Sequence, residues 1–126
     1  MSKRILVGYD GSNHSRGALH EAIKLAKVFS GFIKVITVYK QGFEKEAEKL
    51  LREAEQYLES EKVDHELLSI LGSNPSRALV NTAKHEEFDL IVIGSRGLGS
   101  AASILLGSVS RQVVTKAECD VLVVKK

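Results

Sequence analysis

The sequence has few of the residues that mark secreted, disulfide-bonded or membrane-spanning chains. It contains no tryptophan, one proline and one cysteine, Cys119. A single cysteine cannot form a disulfide within the chain, and we expect this thiol to be a small buried residue at the entry to a strand. No apolar run reaches the roughly 18 residues of a transmembrane helix, and the first residues favour a strand over a secretory signal. These absences favour a cytoplasmic protein without membrane contact.

Neither sign of charge is in large excess. The chain has 18 basic and 16 acidic residues, which gives a net charge of +2. No basic block is interleaved with aromatic residues, so nucleic-acid binding has no support in the sequence. With 44% hydrophobic and 27% charged residues among 126, the composition argues against disorder. We expect one domain, residues 1–126, with a single filled core.

Apolar runs of strand length alternate with segments whose apolar residues recur at helical spacing. The predicted strands span residues 4–10, 32–39, 63–71, 88–94 and 120–126, and the predicted helices span residues 12–31, 44–61, 73–87 and 105–117. Aliphatic strands that alternate with helices predict an α/β fold in which one open parallel sheet carries helices on both faces. Ligands of such sheets bind beyond the carboxyl ends of the strands, so the loops that follow strands are the places to look for a site.

Two of these loops have unusual compositions. Residues 8–12, GYDGS, follow the first strand, and residues 94–110, GSRGLGSAASILLGSVS, follow the fourth. The second segment has four glycines and five serines, and its only charge is Arg96. Glycine allows backbone amides to approach a ligand closely, and the start of the following helix adds a partial positive charge. This combination suits a phosphate chain, although glycines after a strand also occur simply as turn residues.

The glycine segment does not match the common phosphate-binding motifs. Gly94 and Gly99 have the spacing of a Walker A loop, but no lysine follows. Gly97, Gly99 and Ala102 match a dinucleotide-binding pattern, yet they follow the fourth strand where the first is required. A receiver domain needs clustered acids after the first strand, where Asp10 stands alone. We therefore reject all three interpretations.

Hydrolytic and metal-dependent chemistry also lack a signature. The chain has no G-x-S-x-G elbow, and its histidines have no ligand spacing. We expect these histidines to lie on the surface or a helix flank (His14 and His20), outward on a strand (His65) and near a helix end (His85). The sequence thus predicts no catalytic residue and no metal ligand.

The spacing Gly94-x2-Gly97-x9-Gly107-Ser108 resembles the nucleotide-binding signature of the universal stress protein family. The resemblance covers essentially the whole chain and includes the opening ILVGYDGS and the terminal VLVV. It implies a five-stranded parallel sheet of order 3-2-1-4-5, Rossmann-like and similar to the adenine nucleotide alpha hydrolases. It also implies ATP as ligand, magnesium held through the ATP phosphates, and a homodimer formed through the last strand, residues 120–125.

The resemblance assigns a position in the site to each matching residue. Gly8, Tyr9 and Asp10 would line the adenosine end, with Asp10 near the ribose, and Val38 would contact adenine. The phosphates would be wrapped by the glycine segment, namely Gly94, Ser95, Arg96, Gly97, Leu98, Gly99 and Ser100. The start of the last helix would bring amides and hydroxyls to them through Gly107, Ser108, Val109 and Ser110.

The residues themselves leave alternatives open. Asp10 either caps the next helix or contacts ligand, and the two roles are compatible. Val38 is a core residue or an adenine contact. Arg96 is a solvated loop residue or a phosphate clamp. Ser108 and Ser110 either cap the last helix or reach phosphate or magnesium.

Two functions follow from these expectations. The first is an ATP-binding regulatory protein of a stress response, in which the nucleotide sets the conformation or the choice of partner. The alternative is a slow ATPase or phosphoryl-transfer enzyme. Hydrolysis needs a residue that positions water near the terminal phosphate. The glycine segment contains no glutamate or glutamine, and Gln112 lies a turn into the helix. Binding is therefore favoured over catalysis.

Overall fold

A computed structural model describes residues 3–96 and 106–125 of the chain. Within these ranges five strands alternate with four helices: β1 (Arg4–Gly8), α1 (Asn13–Phe29), β2 (Phe32–Tyr39), α2 (Glu44–Ser60), β3 (Asp64–Leu71), α3 (Pro75–His85), β4 (Leu90–Gly94), α4 (Ser108–Lys116) and β5 (Asp120–Val124). The predicted alternation of strands and helices is confirmed.

The strands form one parallel sheet in the order β3-β2-β1-β4-β5. Ile5 of β1 is level with Ile33 of β2 on one side and with Leu90 of β4 on the other. The direction of chain progression reverses between β1 and β4, because the chain first builds outward to β3 and then returns to add β4 and β5. This confirms the predicted fold class and strand order, and it places the switch point of the sheet between β1 and β4.

Side chains that alternate along the strands supply two apolar cores. Ile5 and Val7 of β1 belong to the core beneath α1 and α2, whereas Leu6 belongs to the core beneath α3 and α4. All three are fully buried. Both faces of the sheet are therefore covered, which explains why the central strands β1 and β4 are aliphatic, whereas the edge strand β3, DHELLSIL, carries polar residues.

The ends of the first and third helices have identifiable local causes. Ser12 caps α1 by accepting a hydrogen bond from the Ser15 amide at 3.1 Å. The left-handed residue that ends α1 is Ser30, with φ of 52°, so the prediction of Gly31 as the end was wrong by one residue. Asn74 caps α3 in the same way as Ser12, and Pro75 occupies the first helical position.

The structure shortens β4 relative to the prediction. The amide of Phe88 donates to the carbonyl of Ala83 at 2.9 Å, and Glu87 has a left-handed φ of 56°. These bonds close the end of α3, so Glu87 and Phe88 belong to the helix end, and the chain reaches the sheet at Asp89, whose amide donates to the Arg4 carbonyl at 2.9 Å. Strand pattern alone does not reveal this, because Phe88 is as buried as a strand residue.

Candidate functional site

A pocket opens at the carboxyl edge of the sheet, at the switch point between β1 and β4. Its wall combines the loop after β1, the ends of β2 and β4, and the first turns of α1, α3 and α4. It brings together most of the residues that the resemblance assigned to a site, namely Gly8, Tyr9, Asp10, Val38, Gly94, Arg96, Gly107, Ser108, Val109 and Ser110. Of the others, Gly97, Leu98, Gly99 and Ser100 lie outside the described residues.

The loop after β1 is organised by hydrogen bonds around Asp10. One carboxylate oxygen of Asp10 accepts from the Ser12 amide at 2.9 Å, and the Asp10 amide donates to the Ser15 hydroxyl at 3.3 Å. The N-cap of α1 is Ser12, so Asp10 does not have the helix-capping role that was considered for it. Gly11 has φ of +83°, which favours glycine, and a Cβ there would lie 2.6 Å from a methyl carbon of Leu50. The loop thus holds Asp10 at the pocket wall.

Tyr9 points its ring away from the α3–α4 side and into the core beneath α1 and α2. Its hydroxyl donates to Glu53 of α2, and Glu53 also accepts from the Arg16 guanidinium of α1 at 2.9 Å. Burial, followed by the Glu53 carboxylate, raises the pKa of the Tyr9 phenol, and the hydrogen bonds from Arg16 and Tyr9 lower the pKa of Glu53. The Tyr9 carbonyl accepts from the Thr37 hydroxyl at 2.8 Å. These contacts connect Tyr9, which forms the floor of the pocket, to α1 and α2, the two helices on one face of the sheet.

Replacing Glu53 with glutamine should reduce stability at neutral pH and flatten its dependence on acid. The pKa of Glu53 is lowered by folding, so its stabilisation is complete above the ordinary carboxyl pKa of about 4.3 and is lost as pH falls through the folded-state value. The side chains of Glu53 and Arg16 are 34% and 38% exposed, so we expect a loss of about 1 kcal/mol or less. Urea unfolding at neutral and acid pH measures both effects.

Glu48→Gln is the matched control for Glu53→Gln. Glu48 lies on the same helix, but it is 66% exposed and its oxygen is 4.0 Å from Arg52. We expect this variant to unfold with nearly the wild-type free energy at every pH. Equal pH dependence in Glu53→Gln and wild type would show that the Tyr9–Glu53–Arg16 contacts do not stabilise the floor.

The end of β4 and the start of α4 are joined through the backbone of Ser95. Its carbonyl accepts from the Gly107 amide at 2.7 Å and from the Ser110 hydroxyl at 2.8 Å, and its amide donates to the Val124 carbonyl at 2.7 Å. Ser95 is 2% exposed and is not part of the pocket wall, and the Ser110 proton is directed at backbone carbonyls. Both serines therefore position the segment around them, and the hydroxyl proton of Ser110 is already bonded within the protein.

The start of α4 is the least satisfied helix end in the pocket. Its N-cap is Gly107, which makes no side-chain capping bond, and its first turn contains no acidic residue. Within the part of the chain that the structure describes, no side chain caps this turn, so its amide donors and the positive end of the helix dipole face the pocket. Arg96 also lines this part of the wall. The α4 end of the pocket is therefore suited to an anion.

Two glycines of the wall differ in how much room their surroundings leave for a side chain. A Cβ at Gly94 would lie 2.6 Å from both the carbonyl carbon and the Cβ of His14, so glycine allows α1 to pass close to the end of β4. A Cβ at Gly8 would lie 2.9 Å from a methyl group of Leu79, which is the end of a flexible side chain. Gly94 therefore has a structural function apart from any contact with ligand.

His14 is the main site feature that the sequence did not reveal. Its Nδ1 is 2.9 Å from the Ser95 hydroxyl, and its Nε2 is 3.4 Å from a guanidinium nitrogen of Arg96. It was predicted as a surface or flank residue, whereas it is half-buried against residues more than 80 positions away. No short spacing motif connects such positions, so only the fold brings them together.

The other histidines and the cysteine considered in the sequence either lie at their predicted positions or form no functional site among the described residues. His85 is the last residue of α3, and His20 packs edge-on against Tyr57 with ring centroids 4.8 Å apart. Cys119 is half-buried, and burial raises the pKa of its thiol. Over residues 3–96 and 106–125, no three His, Cys, Asp or Glu side chains group as a metal site would require. No helix in the same ranges has both the length and the apolarity to span a membrane.

The sequence also missed most of the apolar wall. Ile36, Leu79 and Ile93 line the pocket, as does Pro75 at the start of α3. The third strand ends at the same edge of the sheet as the first and fourth, so its following helix had to begin near the site. The order of the elements indicates this position for α3, but the predicted site consisted of the two glycine-containing loops, the start of α4 and, from the apolar wall, Val38 alone.

Comparison with known proteins gives one consistent family. The family model described as the Universal stress protein family matches residues 1–125. A universal stress protein of Thermus aquaticus is 36% identical over 137 aligned residues, which cover 99% of this chain and 100% of that protein. Among solved structures, a universal stress protein in complex with cAMP is 32% identical with a TM-score of 0.82, covering 98% and 96% of the two chains. A universal stress protein from Archaeoglobus fulgidus in complex with dAMP is 25% identical with a TM-score of 0.82, covering 98% of each chain.

Proposed function

The chain belongs to the universal stress protein family, and from this premise we propose that it binds an adenine nucleotide in the pocket between β1 and β4. The related proteins in complex with cAMP and dAMP support an adenine nucleotide as the ligand class. The physiological ligand that we propose is ATP. Its bound state would set the conformation of the protein, or its choice of protein partner, during a stress response.

The observation that carries this proposal is the division of the pocket into two chemically different ends. The α4 end has an uncapped helix start and Arg96, which suit phosphate groups. The opposite end has an apolar wall that includes Val38, Ile36 and Leu79, which suits the flat face of a base. Asp10 lies in the same wall as an acceptor for ribose hydroxyls. An adenine nucleotide has phosphates, a base and a ribose, which match the α4 end, the apolar wall and Asp10 respectively.

Magnesium, in this proposal, is held by the ATP phosphates. The described wall offers one carboxylate, Asp10, and an Mg²⁺ ion commonly keeps several waters and takes its other ligands from phosphate oxygens. The ion would neutralise phosphate charge beside the α4 start.

Binding is favoured over hydrolysis by the side chains at the phosphate end. The Gln112 side-chain oxygen accepts a hydrogen bond from the Ser76 hydroxyl, so it is directed toward α3. Asp10, the only acid in the described wall, accepts from the Ser12 amide in its own loop. In this proposal Asp10 faces the ribose and Gln112 is bonded to α3, so neither residue is assigned to orient an attacking water at the terminal phosphate. We propose no catalytic residue.

The nucleotide that copurifies with the protein tests this function. We expect ATP, or another adenine nucleotide, at close to one per chain, with phosphate release from added MgATP at or near the rate in buffer. Sustained release that depends on the protein would favour the ATPase alternative. Protein that neither carries nor takes up an adenine nucleotide would refute the proposal.

A homodimer through residues 120–125 is the proposed assembly. β5 is an edge strand, with β4 on one side only, and its residues from Val121 to Val124 are apolar and half-buried. An apolar edge without charge or proline is prone to pair with another strand, and a two-fold pairing of identical edges would cover it. The partner of this edge strand would be β5 of a second copy of the chain.

Val123→Lys should convert the dimer to a monomer, because it places a charge in the centre of that edge. Sedimentation velocity measures the change, with circular dichroism to confirm the fold. Leu68→Lys is the matched control, since Leu68 is 38% exposed on β3, the opposite edge of the sheet. A Val123→Lys protein that remains folded and dimeric would show that the interface does not involve β5.

A further inference from the structure

His14 connects the first helix to the start of the glycine segment through both of its ring nitrogens. Its Nδ1 is 2.9 Å from the Ser95 hydroxyl and its Nε2 is 3.4 Å from Arg96. Ser95 in turn accepts from the Gly107 amide, which begins α4. One imidazole therefore contacts both the residue that orients the α4 start and the cation at the phosphate end of the pocket.

The chemistry of the two partners fixes the tautomer of the ring. A guanidinium has donors and no acceptor, so the nitrogen that faces Arg96 must carry the lone pair. That nitrogen is Nε2, which leaves the proton of the neutral ring on Nδ1 to be donated to the Ser95 hydroxyl. Both contacts fit the ring that has its proton on Nδ1, which is the tautomer that the experiment below measures.

We infer that His14 is a positioning residue whose protonation is linked to anion binding in the pocket. A second proton on Nε2 removes the acceptor that Arg96 uses and places two cations side by side. An anion bound beside Arg96 offsets this repulsion, so it favours the protonated ring. Binding of a phosphate group and uptake of a proton by His14 therefore favour each other. This inference rests on the proposed nucleotide site.

Arg96 is the charged group in contact with His14, and segments that adjoin this contact in the fold carry two other charges. Asp10 precedes α1, Arg96 follows β4, and Lys125 follows β5, whose last residue, Val124, bonds to the Ser95 amide. On α1 itself the nearest charge in sequence is Arg16, which is paired with Glu53. Carboxylates and lysines change charge outside the range between about pH 5 and pH 8, where imidazoles do. A pH dependence in this range therefore indicates an imidazole, and because the chain also contains His20, His65 and His85, substitution of His14 is needed to identify which one.

The test uses cAMP as the probe, because its phosphodiester keeps one negative charge throughout that range. We expect the wild-type protein to bind cAMP about fivefold more tightly at pH 5.5 than at pH 8, as expected for one screened charge nearby. Calorimetry in two buffers of different ionisation enthalpy should show proton uptake on binding at intermediate pH. Adenosine, which lacks the phosphate, should show neither effect.

His14→Gln separates this linkage from a purely structural role. Glutamine keeps hydrogen-bonding groups at the position but does not titrate, so it should bind cAMP with an affinity that is nearly independent of pH. His14→Asn provides a second variant if the first folds poorly, and Lys125→Gln is the charge control that should retain the wild-type pH dependence. The thermal midpoint of each variant reports folding separately from binding.

The tautomer is measured without ligand, by the ¹⁵N shifts of the imidazole in the wild-type protein. We expect proton occupancy on Nδ1 at neutral pH, with the signal assigned by its loss in His14→Gln. A ring protonated on Nε2 would overturn the inference, as would the same pH dependence of cAMP affinity in wild type and both variants. Absence of nucleotide binding at every pH would overturn the proposed function and the linkage together, whereas the first two results would leave the nucleotide site intact.

Discussion

Replacing Gly107 with valine should lower the affinity for ATP by at least about a hundredfold while the protein remains folded, a loss of about 2.8 kcal/mol. Gly107 has φ of −72° and ψ of 169°, which any residue adopts, so the backbone does not require glycine. It lines the pocket at the uncapped start of α4. A branched side chain there would occupy space that a phosphate group needs to reach the helix amides.

Gly107→Ala is the graded control, and it should weaken binding less than valine because it adds one carbon. Calorimetric titration with MgATP measures both affinities, and circular dichroism with thermal unfolding confirms that both variants retain the fold. Wild-type affinity in a folded Gly107→Val protein would show that the phosphates do not contact the start of α4. The bound nucleotide would then have to lie elsewhere in the pocket.

Gly94→Ala should destabilise the protein by about 3 kcal/mol or more and lower its melting midpoint by roughly 10 °C. The new Cβ would lie 2.6 Å from the carbonyl carbon of His14 and 2.9 Å from its carbonyl oxygen. These are backbone atoms of the first turn of α1, so relief requires the helix to move and not merely a side chain to rotate. Such a shift would also separate His14 from Ser95.

Gly72→Ala is the matched control for Gly94→Ala. It also follows a strand at the carboxyl edge, but its Cβ would meet only a methyl group of Val38 at 3.9 Å, an ordinary contact. We expect its unfolding free energy to change by less than about 1 kcal/mol. If urea unfolding shows similar small changes in both variants, α1 does not pack against β4 as closely as described.

The sequence predicted the fold well because the information is repeated along the chain. Most strands are aliphatic runs and each helix has its own apolar stripe, so an error at one boundary does not alter the pattern. The boundary errors have local causes that the pattern does not contain. The Phe88 amide is used to close α3, and Ser30 takes the left-handed conformation that was predicted for Gly31.

The site was predictable only where its residues lie in one continuous segment. Asp10 and the start of α4 were found because glycines and hydroxyls cluster beside them in the sequence. The contact of His14 with Ser95 and that of Tyr9 with Glu53 join positions 81 and 44 residues apart. Such contacts depend on how helices lie across the sheet, and nothing in the spacing of the residues indicates them.

The central claim is that the pocket binds an adenine nucleotide chiefly through its phosphates, and the melting midpoint with MgATP and with adenosine tests it most directly. A ligand at a hundredfold excess over its dissociation constant stabilises the folded state by about 2.7 kcal/mol. For a domain of this size, we expect MgATP to raise the midpoint by roughly 10 °C and adenosine to raise it far less. Arg96→Ala should reduce the shift with MgATP and leave the shift with adenosine unchanged. No shift with saturating MgATP, or an equal shift with adenosine, would contradict the claim.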